Sequence, residues 1–194
     1  GEDPTTVGAL VAAFQRGLTR GGVLGCAKHF PGHGDTSSDS HLDLPVLPHS
    51  RERLEQIELP PFQAAIAAGV ESVMTAHLVL PDLDPQQPAT LSKAVLTNLL
   101  RRQMRFNGLV VTDALVMEAI SARHGPAEAA VLAFEAGADL ILMPADADAA
   151  IDGLCEGFSS GRLPLEQLEQ VELAADTSLH MVCCTCVRAC VKHV

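Results

Sequence analysis

Apolar positions along the chain follow two rhythms. In the first, Val7, Leu10, Val11, Phe14 and Leu18 recur at helical spacing. Asp3 and Pro4 ahead of them supply an N-cap and a first-turn proline, and Gly21-Gly22 supply a stop. A helix is therefore expected from Pro4 to that glycine stop. The second rhythm is the short, largely apolar stretch that reads as a strand, at Val23 to Lys28, Val70 to His77, Leu109 to Thr112 and Asp139 to Met143. Successive apolar residues are what a strand buried on both faces requires. Helical stretches are expected between the runs. One begins at Ser50, is interrupted at Pro60-Pro61 and ends at Gly69. Others run from Ser92 to about Arg105 and from Pro126 to Ala136, the latter stopped by Gly137. Two more span about 147–159 and 165–174, while Pro81 to Thr90 reads as a loop.

A helix followed by about four strand–helix units implies an α/β fold with a parallel sheet. On pattern alone, those units could also close as a doubly wound sheet. The 194 residues suit one domain with a real core. Composition narrows the function more than the fold. A net charge of −11 argues against a nucleic-acid partner. No apolar run approaches a membrane span, so no membrane partner is expected. No signal peptide is visible, but the chain opens on Gly-Glu-Asp-Pro without Met and looks like a piece of something longer. Localisation stays open, with the cytoplasm slightly favoured.

The cysteines are uneven. Cys26 and Cys155 sit in apolar surroundings and are expected as buried thiols. Cys183, Cys184, Cys186 and Cys190 crowd the end. The character changes near Ala175, so 1–175 is expected as the domain and 176–194 as an atypical Cys-rich tail. A single CxxC with His180 and His193 could form a zinc site, but a non-native or misread terminus carrying reactive thiols is the preferred reading.

The chemistry concentrates in Lys28 to His41, where fourteen residues hold three His, two Asp and one Lys. Pro31, Gly32 and Gly34 break regular structure there, which puts the polar groups on a loop after a strand's carboxyl end. In α/β folds that is where sites are built. Asp39 and His41 are two apart, so a turn can set the carboxylate on one ring nitrogen and leave the other to exchange a proton. The bland alternative is an Asx-type closure with an exposed His41. Asp113 ends the third strand and is either a site carboxylate or a helix N-cap. Lys28 and His29 end the first strand, where an ion pair with a neighbouring Asp is the plain alternative. His77 ends the second and could line the same pocket. Asp139, at the other end of the fourth, reads as structural. His29, His33, Asp35, Asp39 and His41 could also ligate a divalent metal, although no HExxH spacing appears.

The ordered run Lys28-His29-Phe30-Pro31-Gly32-His33-Gly34-Asp35-Thr36, followed by Asp39-Ser40-His41 and Leu44-Pro45, resembles glycoside hydrolase family 3. The likeness is to its β-N-acetylhexosaminidase branch. It continues through Met74-Thr75-Ala76-His77, Val110 to Leu115 and Gly137 to Leu142, and covers roughly Gly1 to Val171. It implies the C-terminal half of a TIM-type (β/α)8 barrel. A full barrel needs about 250 residues, so the N-terminal half is expected before Gly1. The resemblance implies hydrolysis of terminal β-linked N-acetylglucosamine from cell-wall or chitin-derived saccharides, as in peptidoglycan recycling. It implies retention through a covalent glycosyl-enzyme, with Asp113 as nucleophile and His41, paired with Asp39, as general acid/base. Lys28, His29 and His77 would bind a small carbohydrate, and no cofactor or metal is implied. The absence of Trp and Tyr counts against a long aromatic-lined cleft but leaves room for a small hydrogen-bonding pocket. Four alternatives stand beside this one: a β-glucosidase or a phosphorylase of the same family, a metal-dependent barrel hydrolase, and an inactive truncated fragment.

Overall fold

The computed structural model describes residues 1–36 and 44–169. Asp39, His41 and the Cys-rich tail lie outside the described residues. The chain runs α1 (Pro4–Arg20), β1 (Cys26–Phe30), α2 (Arg51–Arg53), a π-helical turn (Leu54–Glu58), α3 (Leu59–Ala67) and β2 (Ser72–Thr75). A 3-10 turn (Ala89–Leu91), a wide-turned helix (Ala94–Gln103), β3 (Leu109–Val111), α4 (Glu118–Ser121), α5 (Pro126–Ala136) and α6 (Ala147–Ser159) follow. The three strands form one parallel sheet in the order β1-β2-β3. Pairing is regular between β2 and β3, with Ser72 opposite Leu109 and Met74 opposite Val111. Between β1 and β2 it slips by one residue: Ala27 faces Val73 and Phe30 faces Thr75. Lys28 and His29 thus occupy a bulge, two residues against one.

The core gathers on the sheet. Phe30, Val73 and Val110 are fully buried, with Leu78, Leu96, Leu100 and Ile120 packed around them. The Phe30 ring meets Phe62 of α3 edge-on at 5.2 Å. A smaller cluster of Val131, Phe134, Phe158, Leu163 and Leu168 joins α5 to α6.

The apolar stripe of α1 does not face the core as a unit, for Leu10 is 65% and Phe14 71% exposed. The buried side instead carries Gly8 and Gln15. Gly8 lets α1 approach α3, since a side chain there would begin 3.2 Å from Ala64 Cβ. Gln15 turns inward to donate to Glu71 Oε2 at 2.9 Å, which also accepts from Gly25 N at 2.7 Å. These contacts fix the rotation of α1 and leave part of its stripe outside.

Pro60-Pro61 does not interrupt its helix. Helical backbone runs from Arg51 through Ala67, and the prolines fall in the first turn of α3. The π turn just before them, closed by Leu59 N on Leu54 O, widens the helix where a proline ring would otherwise meet the carbonyl four residues back.

The expected fourth strand is reduced to one parallel bridge, Val111 with Leu140. Asp139 N and Leu140 N both donate to Val110 O, at 2.8 and 3.1 Å, and Thr112 N donates to Leu140 O at 2.9 Å. The ladder then ends because Leu142 N turns to the Thr112 hydroxyl at 2.9 Å, and Met143 takes a positive φ of 44°. Cys26 is exposed rather than buried, because it lies on the outer strand of the described sheet; Cys155 is half-buried. Asp139 does have the structural role expected of it, with Arg101 on its carboxylate and Val110 N–H on Oδ2 at 2.7 Å.

Candidate active site

The parallel strands end side by side, so residues in the last part of β1 and just past β2 and β3 meet. From β1 come Lys28 and His29, joined by a cis peptide bond. Consecutive residues of a regular strand point to opposite faces. Here the bulge intervenes, and both line one open cleft of about 890 Å3 together with His33 and Asp35. Asp113 does not line that cleft, but His29 reaches it: Nε2 lies 3.8 Å from Asp113 Oδ2, with side chains 31% and 19% exposed. Burial lowers the His29 pKa below its ordinary 6.5; the Asp113 carboxylate pulls the other way, and the Lys28 charge adds to the lowering.

The two oxygens of Asp113 are placed differently. Oδ1 accepts from the following amide, Ala114 N, at 2.8 Å. Oδ2 faces His29. The N-cap alternative for Asp113 is not seen: α4 begins later, at Glu118, with Met117 at its cap. A carboxylate oxygen oriented toward a histidine at the strand ends can accept a proton, bind a cation or attack an electrophilic carbon.

His77 is not where the expectation put it. It is fully buried and presents no ring atom to the cleft. Nε2 lies 3.0 Å from Ala114 O, which can only accept, so Nε2 carries the hydrogen. Nδ1 lies 2.8 Å from Thr90 Oγ1. Burial, the largest influence, lowers the His77 pKa below 6.5 against the opposing hydrogen bond to Ala114 and the charge of Asp113. Thr90 Oγ1 is in turn 2.7 Å from Thr75 Oγ1, and Thr75 Oγ1 accepts from Asp113 N at 3.4 Å. Sequence reasoning missed Thr90, which sits in the 3-10 turn at the end of a proline-rich loop. Nothing in its spacing announces a partner 13 residues away. Thr75 had a signal, a hydroxyl at the end of its strand directly after Val73 and Met74.

The described part of the loop holds itself in shape. His33 Nδ1 meets Thr36 Oγ1 at 2.8 Å. Asp35 pairs with His49 at 3.0 Å and with Arg53 of α2 at 3.2 Å. Of the expected site residues, the structure brings together Lys28, His29 and Asp113 at the strand ends, with His77 behind them.

Comparison with known proteins agrees with this picture. A family model described as "Glycosyl hydrolase family 3 N terminal domain" matches residues 1–173. A protein named "Beta-hexosaminidase" from Neisseria gonorrhoeae (strain NCCP11945) is 41% identical over 157 residues, 81% of this chain and 43% of the relative. The chain thus spans less than half the length of that curated relative. A glycoside hydrolase family 3 beta-N-acetylglucosaminidase from Paenibacillus sp. str. FPU-7 superposes with a TM-score of 0.83 at 46% identity, over 91% of this chain and 33% of that one. The beta-N-acetylglucosaminidase from Thermotoga maritima gives 0.86 at 31%, over 96% and 41%. The parallel strands and their helices are accordingly an arc of a TIM-type α/β barrel. Fold, family match and the residues at the strand ends agree: the chain belongs to glycosyl hydrolase family 3 and carries sequence of that family's N-terminal domain.

Proposed function

We propose that this chain provides the nucleophilic side of a retaining glycosidase site that removes terminal β-linked N-acetylglucosamine from cell-wall or chitin-derived saccharides. The observation that carries the reading is the unequal placement of the Asp113 oxygens, Oδ1 on Ala114 N–H and Oδ2 toward His29 at the strand ends. Oδ2 attacks the anomeric carbon, the bond to the leaving oxygen breaks, and a glycosyl ester forms on Asp113. Water then cleaves the ester and restores the carboxylate. Each half needs a proton moved, to the leaving oxygen first and from the water second, and His41 oriented by Asp39 does both. Lys28 and His29 hold sugar hydroxyls beside the carboxylate. The names of the relatives support the N-acetylated substrate.

The test is to trap the intermediate with a slow fluorinated N-acetylglucosaminyl donor and map the labelled peptide. Label on Asp113 is expected, and Asp113→Asn should bind substrate while turnover collapses. Label elsewhere, or near-normal turnover by Asp113→Asn, would overturn the assignment. Running the reaction with and without inorganic phosphate separates hydrolysis from phosphorolysis, since only the latter yields a sugar phosphate.

A further inference from the structure

The hydrogen bonds behind Asp113 have one consistent direction. His77 Nε2–H is committed to Ala114 O, and a neutral imidazole can then only accept at Nδ1. The Thr90 hydroxyl has one hydrogen, with Ala76 O at 3.0 Å and His77 Nδ1 at 2.8 Å as acceptors. Both acceptors take that hydrogen, none is left for Thr75, and the 2.7 Å contact between the two threonines is therefore donated by Thr75. Thr75 Oγ1 is left with a lone pair for Asp113 N–H. The chain therefore runs from Asp113 N through Thr75, Thr90 and His77 back to Ala114 O. It grips the dipeptide of Asp113 from both ends. Thr75, His77 and Thr90 are all fully buried, so no water competes for these bonds.

We propose that Thr75, Thr90 and His77 act as positioning residues: they fix the Asp113–Ala114 backbone so that Ala114 N–H stays on Asp113 Oδ1 and Oδ2 is the oxygen presented to substrate. None of the three touches the cleft, and each acts through Asp113. The proposal rests on the reading of Asp113 as nucleophile. Its chemical content is that one carboxylate oxygen is held by the backbone and the other is aimed. Loosening the turn lets the carboxylate rotate and mixes the two. A reacting atom displaced by about 1 Å costs on the order of a hundredfold in rate.

The test uses Thr90→Val, which keeps the side-chain shape and removes the hydroxyl, beside Thr90→Ser, which keeps the hydroxyl. Both are followed by steady-state kinetics and by the rate at which the fluorinated donor labels Asp113. Thr90→Val is expected to lower kcat and the labelling rate about ten- to a hundredfold with KM little changed, and Thr90→Ser to recover most of the loss. If wild-type label appears on Asp113 while Thr90→Val labels at the wild-type rate, the positioning role is refuted and the nucleophile stands. If wild-type label appears elsewhere, the nucleophile itself is refuted. Should Thr90→Val not fold, Thr75→Val against Thr75→Ser asks the same question at the Asp113 N–H end. A loss that serine does not recover there would also overturn the proposal.

Discussion

Replacing Arg101 by Met tests how the far end of the sheet is held. Arg101 Nη2 pairs with Asp139, Nη1 bonds the carbonyls of Phe106 (3.3 Å) and Gly108, and the guanidinium lies 5.5 Å from the Phe106 ring. Methionine keeps most of the stem and loses all of these polar contacts. The Asp139 carboxylate, only 9% exposed, is left with Val110 N–H at 2.7 Å. Burial already pushes its pKa above the ordinary 3.8, ahead of the opposing pull of Arg101, so removing the guanidinium drives it further up. The folded variant escapes an unpaired buried charge by taking a proton. That caps the electrostatic loss at about 1.4 kcal/mol for each pH unit by which the solution stands above the raised pKa of Asp139 in the parent. The cap shrinks as pH falls toward that value. The unpartnered carbonyls add about 1 kcal/mol. Arg101→Met should therefore cost about 3–5 kcal/mol at neutral pH, the usual range for breaking a buried pair, and clearly less near pH 5. Urea unfolding of the variant and the parent at both pH values reads the difference directly. A loss under about 1 kcal/mol at neutral pH, or an equal loss at both, would refute the reasoning. Adding Asp139→Leu should restore much of the stability, since an apolar pair replaces a broken ionic one.

Two further outcomes follow from single contacts. His77 has a folded pKa below its unfolded 6.5, so the stability it contributes is fully present above 6.5 and is lost as pH falls from there through the folded value. Thermal unfolding should show that acid loss, with a smaller slope over the same window in His77→Gln; an unchanged slope would count against a buried neutral imidazole. Gly108→Ala places a methyl 2.4 Å from Glu71 O and 2.7 Å from Phe106 Cζ, which should cost roughly 1–3 kcal/mol in the same urea assay.

Legibility in the sequence followed locality. The caps of α1 and the αL stop at Gly137 are decided within a few residues, and both were readable. So was the parallel sense of the sheet, because strands alternating with helices imply crossover connections. Rotation of α1 was not readable. It depends on Gly8 meeting α3 and on Gln15 reaching Glu71, 56 residues away. The π turn before Pro60 escaped for a similar reason, since prolines in a helical pattern ordinarily mark a break. At the site, Lys28, His29 and Asp113 could be read because strand ends collect chemistry in α/β folds. His77 was read as ending its strand, but its burial was not readable. Whether a histidine faces a cleft or a buried hydroxyl depends on where a distant loop lies, and Thr90 arrives from such a loop.

The bulge in β1 has a consequence for how this strand tolerates editing. Ala27 opposes Val73 and Phe30 opposes Thr75, so the partner strand advances two residues while β1 advances three. Were one of Lys28 and His29 deleted, Phe30 would fall two residues after Ala27, still opposite Thr75. The buried ring of Phe30 would keep its place against Phe62. The inserted residue is therefore invisible to the hydrophobic interior and visible only at the cleft. In an unbulged strand, alternation ties every polar position to its apolar neighbours, and changing one shifts the facing of the rest. Here the two are uncoupled, and the polar end of the strand can be shortened by one residue while the packing behind it keeps its register.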